Sequence, residues 1–400
     1  MDNQSVVVVG AGSVGLTVAL GLAQAGISVR VLEAAETVVT APRDPVYDWS
    51  VLDGLSRLGI LDDCEQAGLR VNQWGYRLLK TGETIRFSLS AIADEIPHPF
   101  NLHLEQSAMT RIMLSHLARY PDVAVEWGTK VTGVAQDSSG VAVIAEGPDE
   151  TRTWRADWVV GADGSRSIVR RQQGLAFAGM TWPERFVATD LRFDFAGLGF
   201  EKAGYQIDPV YGAVVSQVDQ TGLWRYIFAE SRTLPEDSID ERVRSVLSAV
   251  LPDGTDPLIG KSYPYRIHQR SAERFRVGRA LLVGDAAHLT NPASGLGMTS
   301  GLFDAYALTE ALTAVIHHER GDDILDRYSQ VRRDNFWEFT SPASTEAKEL
   351  VFPFGDDGMQ AESIQELREI SADPDARREH VRSLGGCATP SLLTPAQAPS

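Results

Sequence analysis

The sequence predicts an α/β protein in which a mixed sheet with crossing helices carries an inserted antiparallel β-sheet and is followed by a C-terminal helical segment. Three observations support this fold class. A strand–helix–strand pattern opens the chain, short apolar strands recur at 158–162 and 280–283, and a strand-rich aromatic stretch lies between them. Because strands of the first kind occur at the start, middle and end, the second unit is expected to be inserted rather than appended.

The opening pattern changes its period partway. Residues 6–9 form a β-branched run, as in a buried parallel strand, and residues 29–32 form a second one. Between them, Val14, Val18 and Leu22 recur at helical spacing. The segment therefore predicts a βαβ unit.

The turn between the first strand and the helix carries Gly10, Gly12 and Gly15. The first glycine permits a tight turn, the second lets a pyrophosphate approach the backbone, and the third lets helix and strand pack closely. Free N–H groups and the helix dipole favour a diphosphate at this point. Glu33 follows Gly15 by 18 residues, where a carboxylate can accept the hydroxyls of an adenosine ribose. The unit thus predicts a Rossmann-like dinucleotide site, which suits NAD and FAD equally well.

A membrane span is the alternative for this region, because no charge occurs from Asn3 to Val29. Its many glycines, the change of period and the absence of a basic segment before the apolar run argue against a span or a signal peptide. No membrane span is expected.

The amino-acid composition limits the kinds of partner and cofactor that are expected. The 400 residues include 54 Asp and Glu against 37 Lys and Arg, a net charge of −17, which disfavours nucleic acid. Cys64 and Cys387 are far apart, which suits a reducing cytoplasm. No His or Cys cluster has metal spacing, so no metal is expected.

The pattern of elements divides the chain into three parts. We expect a discontinuous nucleotide-binding domain at 1–70, 100–180 and 273–340. A β-sheet substrate domain is expected at 71–99 and 181–272, where residues 74–79 and 84–89 look like a hairpin. Residues 341–400 are expected to form a helical segment and tail.

Two further strand-to-helix turns carry chemistry. In "DWVVGADGSRSIVRR", an apolar strand runs into Asp163-Gly164, at the edge where open α/β sheets bind ligands. In residues 278–308, a strand ends at Asp285, and a loop with Pro292, Gly295 and Gly297 precedes a helix that starts near Met298. An acid there can bond a polyhydroxy chain, and the helix start suits the negative charge of a reduced isoalloxazine. This loop favours FAD over NAD.

The three turns together resemble those of single-component FAD-dependent monooxygenases of the para-hydroxybenzoate hydroxylase type, from about residue 4 to about residue 335. The resemblance implies that the first turn and Glu33 hold the diphosphate and ribose and that Asp285 bonds the ribityl chain. Family members often have Asn where Thr299 stands. The FAD-binding residues assigned in this way are Gly10, Gly12, Ser13, Val14, Gly15, Glu33, Arg43, Gln106, Val131, Asp163, Gly164, Asp285, Pro292, Gly295, Leu296, Gly297 and Met298.

The resemblance also implies an activity. NADPH or NADH would reduce FAD transiently, O₂ would add to give a flavin C4a-hydroperoxide, and an electron-rich aromatic or heteroaromatic small molecule would be hydroxylated. A monomer or homodimer in the cytoplasm is expected. The alternatives are a non-oxygenating FAD oxidoreductase, such as a reductase or halogenase, or a non-catalytic flavin-binding protein. The Trp-x-Trp-x-Ile-Pro stretch of the halogenases does not occur in the sequence.

Four residues are candidates for substrate binding or catalysis. Arg225 and Tyr226 occupy adjacent, opposite-facing positions of an expected strand, and Tyr211 is expected, with Tyr205, on the strand before it. An arginine there can steer an anion, and a tyrosine hydroxyl can engage a phenol. Ordinary sheet aromatics and a solvated arginine are the alternative. His103 can act as a base, or it can be a structural histidine.

Overall fold

The computed structural model describes residues 4–40, 45–353 and 357–394. Its strands are β1 (Ser5–Val9), β2 (Ser28–Leu32), β3 (Val46–Tyr47), β4 (Leu69–Val71), β5 (Gln73–Leu78), β6 (Thr84–Ser88), β7 (Asn101–His103), β8 (Val123–Glu126), β9 (Lys130–Asp137), β10 (Gly140–Glu146), β11 (Thr151–Ala156), β12 (Trp158–Gly161), β13 (Phe177–Arg192), β14 (Ala203–Ile207), β15 (Ala213–Gln217), β16 (Leu223–Ser231), β17 (Leu258–Ala272), β18 (Arg276–Val277), β19 (Ala280–Leu282) and β20 (His288–Leu289).

Its α-helices are α1 (Ser13–Gln24), α2 (Trp49–Arg57), α3 (Leu61–Ala67), α4 (Gln106–Leu117), α5 (Ile168–Gln172), α6 (Ile239–Val250), α7 (Leu296–Ile316), α8 (Asp323–Asn335), α9 (Ser341–Val351), α10 (Asp357–Ala372) and α11 (Pro374–Ser383). The fold is α/β, as the sequence predicts. Within the described ranges, no helix is both long and apolar enough to cross a membrane.

The first sheet has the order β18-β19-β12-β1-β2-β8, with β1 at its centre. β1 pairs in parallel with both β2 and β12, and β19 pairs in parallel with β12, so the carboxyl ends of these strands share one edge. The strands come from the start, middle and end of the chain. Their sequences are nearly continuous apolar runs, as expected for strands that are buried on both faces of a parallel sheet. All three glycine-containing turns therefore meet at the same edge.

The second sheet has the order β20-β17-β13-β16-β15-β14-β5-β6. The hairpin of β5 and β6 forms as expected. One pair departs from the predicted antiparallel arrangement, because β14 and β5 are parallel. These two strands belong to separate stretches of the chain, and residues 79–202 form the long connection that a parallel pair requires.

The two faces of the second sheet pack against different partners. Trp224, Tyr226 and Phe228 of β16 join a core that includes Val243 and Leu247 of α6. The opposite face forms a core with the Ala293 loop and with α9, which buries Val351. Helices α10 and α11 contribute Leu367 and Val381 to a third core with Trp74 and Phe87. The helices beyond residue 340, for which the sequence suggests no role, thus cover the sheet on the side that faces the first domain.

Candidate active site

The glycine turn after β1 opens into a crevice of about 500 Å³. A side chain at Gly10 would place its Cβ 2.4 Å from the carbonyl oxygen of Ala162, and one at Gly15 would place its Cβ 2.2 Å from that of Gly10. Nothing lies within 4 Å of the Cβ position of Gly12. Gly10 and Gly15 are therefore required for close packing, whereas Gly12 leaves free the space that a diphosphate would occupy.

The Glu33 carboxylate lies in this crevice but is already engaged. Its oxygens accept hydrogen bonds from the backbone N–H of Ala11 at 2.7 Å and of Ala35 at 2.9 Å. Each carboxylate oxygen retains a further lone pair for a hydroxyl donor. Glu33 is thus held rigidly in a position where it can still accept from a ribose.

Buried polar atoms that can still form hydrogen bonds lie at the same crevice. The Ser13 hydroxyl and Oδ1 of Asp163 are buried and have no hydrogen-bond partner within the described part of the chain. Oδ2 of Asp163 accepts from the Ile168 N–H at 2.6 Å. Burial raises the pKa of the Asp163 carboxyl, against the effect of its hydrogen bonds to Ser167, Val169 and Ile168. Buried polar groups normally find a partner, so these atoms fit a polar ligand.

The sequence reasoning missed other residues of this crevice. Its walls include Thr110, Lys130, Arg166 and Arg171 in addition to the expected Gln106, Val131 and Gly164. Cations there complement a diphosphate. The basic residues that follow Asp163-Gly164 in the sequence were the available signal.

Val14 acts by packing. Cβ positions at Gly284 and Gly301 would lie 3.2 Å and 2.9 Å from its side chain, so Val14 locks the first turn against the third. Asp285 is exposed on the 3₁₀ turn that begins at Gly284, and Met298 lies on the first turns of α7. Arg43 lies outside the described residues.

The loop at residues 291–295 is fixed in place by hydrogen bonds of the Asn291 side chain. The Asn291 side chain donates to the Ser344 carbonyl oxygen at 2.9 Å and caps the short turn that follows by accepting from the Ala293 N–H at 3.2 Å. Gly295 has a φ of +71° and starts α7 at Leu296, earlier than the expected Met298. This geometry directs the first turn of α7 towards a second cavity.

The second cavity, of about 480 Å³, is lined by the second sheet, the loop that leads into α7 and the C-terminal helices. Its walls are largely apolar and aromatic. They include Trp49, Trp74, Tyr76, Tyr205, Ile227, Pro292, Gly295, Leu296, Thr299, Phe339, Leu350 and Leu367. An apolar cavity beside a helix start suits the binding of a flat ring away from bulk water.

None of the four candidate catalytic residues lines this cavity. Arg225 is fully buried and pairs with Asp190 and Glu105 at 2.7 Å each, so it is not the solvated arginine of the alternative, and two carboxylates already compensate its charge. Burial alone would lower its guanidinium pKa, but the two carboxylates hold it above the ordinary value. Tyr226 faces α6 on the other side of the sheet, and its hydroxyl accepts from Gln206 at 2.9 Å. Both side chains are thus engaged within the protein, and their catalytic roles stay predictions.

His103 is also buried, with Nδ1 2.6 Å from the Gln217 carbonyl oxygen. Burial lowers its pKa to about 4. It does not line the cavity, and its role as a catalytic base stays a prediction.

Tyr211 is displaced for a local reason. The Asp208 side chain accepts from the N–H groups of Val210 and Tyr211 at 2.9 Å, which ends β14 and places Tyr211 in the turn rather than on the strand. Tyr205 remains on β14 and lines the cavity beside Tyr76, a residue that the sequence reasoning missed.

A buried ionic network is centred on Asp304 of α7. Asp304 accepts from His288 at 2.7 Å and from Arg332 at 2.8 Å, and it also accepts from the Gly284 N–H at 3.0 Å. Burial alone would raise the pKa of Asp304, but His288 and Arg332 outweigh it and lower the pKa. The network ties the third turn to α7 and α8.

The parallel sheet with its glycine crevice and the adjoining apolar cavity define a dinucleotide-dependent oxidoreductase. Residues 3–343 match the family described as "FAD binding domain", and the chain belongs to that family. It is 42% identical over 382 residues to 6-hydroxy-3-succinoylpyridine 3-monooxygenase from Pseudomonas putida, covering 95% of this chain and 97% of that protein. It is 41% identical over 344 residues to a para-nitrophenol 4-monooxygenase from a Pseudomonas species, covering 85% of each.

A solved structure shows the same architecture. The crystal structure of p-nitrophenol 4-monooxygenase from Pseudomonas putida superposes with a TM-score of 0.91 at 37% identity, over 96% of this chain and 98% of that one. The protein is thus an FAD-dependent monooxygenase of aromatic compounds, as the sequence predicts.

Proposed function

We propose that this monooxygenase hydroxylates a small phenol or hydroxy-heteroarene in the 480 Å³ cavity, with NADH or NADPH as electron donor and O₂ as oxidant. The observation that supports this most directly is the aromatic cavity itself, which adjoins the loop expected beside the flavin. The names of the two relatives specify a hydroxypyridine and a nitrophenol, both of which are small hydroxylated rings.

In this proposal the glycine crevice holds the FAD diphosphate between Gly12, Ser13 and the basic residues Arg166 and Arg171, and Glu33 receives the ribose. The bound flavin supplies hydride acceptance from the nicotinamide and activation of O₂. The chain's own contribution is to position the ring and to exclude water.

Tyr76 and Tyr205 are the groups best placed to orient the ring. They lie on neighbouring strands, and their rings are stacked at 5.0 Å, so they present an aromatic wall that changes little on binding. Burial raises the pKa of Tyr76 to about 12, so its hydroxyl is protonated at neutral pH. It can therefore donate a hydrogen bond to a phenolate oxygen.

The experiment is a screen of electron-rich phenols and hydroxypyridines with the FAD-loaded protein. We expect at least one compound to stimulate NAD(P)H consumption and to gain one oxygen atom, which mass spectrometry with isotopically labelled O₂ would detect. NAD(P)H consumption that yields only hydrogen peroxide with every compound would contradict the proposal.

The proposal also covers the cellular compartment and the oligomeric state of the protein. Cys64 and Cys387 are both buried and unpaired, which suits a reducing cytoplasm. Nothing in the proposed chemistry requires a second subunit, so a monomer or a homodimer would serve. Size-exclusion chromatography with light scattering would decide between them.

A further inference from the structure

Carboxylates line the cavity at several points. Asp48 lies at the start of α2, where its side chain accepts from the Ser50 N–H at 2.9 Å. Glu346 on α9 and Glu366 on α10 also line the cavity, and both residues are exposed. Exposed lining residues mark the side where the cavity opens to solvent, so the entrance carries negative charge.

No positive charge balances these groups in the part of the wall that the structure describes. Neither lysine nor arginine occurs among the described lining residues. His380 on α11 is the lining residue that can become a cation, but burial lowers its pKa in spite of the opposing charge of Glu366. It is therefore neutral around pH 7.

The aromatic walls favour the same sign of ligand charge. Trp49, Trp74 and Tyr205 line the same cavity as the carboxylates. Aromatic faces attract ammonium groups through their quadrupole, by about 0.5–2 kcal/mol each depending on desolvation. They give no such attraction to a carboxylate.

We infer that the cavity selects electron-rich arenes whose side chain is a protonated amine over arenes that carry a carboxylate, with Glu346 and Glu366 as the charge-selecting residues. The inference rests on the proposed function in that the reacting ring is placed in this cavity. It separates the chain from its relative named for 6-hydroxy-3-succinoylpyridine, since a succinoyl group ends in a carboxylic acid.

The test uses three phenols of nearly equal shape that differ in charge: tyramine, 4-ethylphenol and 3-(4-hydroxyphenyl)propionate. Each is titrated into the FAD-loaded enzyme, and binding is measured from the change in flavin absorbance. We expect tyramine to bind about threefold to tenfold more tightly than 4-ethylphenol, and the propionate to bind more weakly by a similar factor. Equal affinities, the reverse order, or no binding of tyramine would overturn the inference.

Variants assign the effect to the two glutamates. The double variant Glu346→Gln/Glu366→Gln should bring the tyramine to 4-ethylphenol affinity ratio close to one. Glu349→Gln is the matched control, because Glu349 is an exposed residue of α9 that does not line the cavity. The control should keep the wild-type ratio. A ratio that persists in the double variant would contradict the assignment.

The two proposals fail separately. If 4-ethylphenol is hydroxylated but charge has no influence on binding, only the charge selection is wrong. If the amine binds preferentially but none of the tested arenes in either screen gains oxygen, charge selection stands and the proposed function is wrong.

Discussion

Tyr205 of β14 lies directly opposite Tyr76 of β5 in a parallel register, with ring centroids 5.0 Å apart and an interplanar angle of 16°. The two residues are far apart in the chain and meet only because β14 joins the hairpin at its edge. Their rings form part of the wall of the apolar cavity of about 480 Å³. The pair therefore connects the topology of the second sheet to substrate binding.

We predict that Tyr205→Leu weakens binding of a phenolic substrate by about threefold to tenfold, because an aromatic pair contributes about 0.5–1.5 kcal/mol beyond its buried area. FAD should remain bound, since Tyr205 does not line the glycine crevice. Substrate titration and the flavin to protein absorbance ratio would measure the two effects.

The control for this prediction is Tyr211→Leu, which changes a tyrosine that lies in the turn after β14 and outside the cavity. Its substrate affinity should match that of the wild type. Equal losses in the two variants would show that the effect is not specific to the cavity wall.

The sequence could predict the glycine crevice because the determinants of this crevice are local. A positive φ at Gly10 and Gly295 and the apolar strands before the turns each depend on a few neighbouring residues. The substrate site depends on contacts across the chain. The partners of Arg225, namely Asp190 and Glu105, lie on other elements, so nothing near Arg225 reveals that it is paired.

Local signals in the sequence also bear on the position of Tyr211. Asp208 and Pro209 are typical turn residues and indicate that the strand carrying Tyr205 ends before Tyr211. The alternation along β16 correctly places Arg225 and Tyr226 on opposite faces. Alternation alone does not say which face meets the cavity, because both faces of this sheet are covered by helices or loops.

Two glycines of the first turn should respond differently to substitution. Gly12→Val should leave the apoprotein folded, because the Cβ position of Gly12 is open, but it should abolish FAD binding by filling the crevice. Gly15→Ala should destabilise the protein itself by about 1–3 kcal/mol, since the added methyl overlaps the Gly10 carbonyl. Thermal unfolding of the apoproteins and FAD titration would separate the two effects. Retention of FAD by Gly12→Val would show that the diphosphate lies elsewhere.

Asp304→Asn should destabilise the protein by about 3–5 kcal/mol, because it leaves Arg332 buried with its charge uncompensated. The pKa of Asp304 is lower in the native state than in the unfolded chain. Its contribution to stability is therefore present above about pH 3.9, the unfolded value, and is lost as the pH falls through the native value. Urea unfolding at several pH values would measure this.

Asp326→Asn provides the comparison for Asp304, because Asp326 pairs with Arg276 at 3.0 Å but is largely exposed. Exposed pairs contribute at most about 1 kcal/mol. A similar loss of stability in both variants would mean that the buried network contributes no more to the free energy of unfolding than an exposed ion pair.

The last prediction concerns acid stability and His103. Its native pKa is about 4, whereas an unfolded histidine titrates near pH 6.5. Between these values the unfolded chain binds a proton that the native protein does not, so the free energy of unfolding falls as the pH is lowered, by up to about 1.4 kcal/mol per pH unit. We expect His103→Gln to flatten this slope between pH 6.5 and 4, while His317→Gln, at an exposed position, should not. Because His103 lies outside the cavity, the pH dependence of kcat/KM should keep its shape in His103→Gln. The loss of an acidic limb in that variant would identify His103 as the catalytic base.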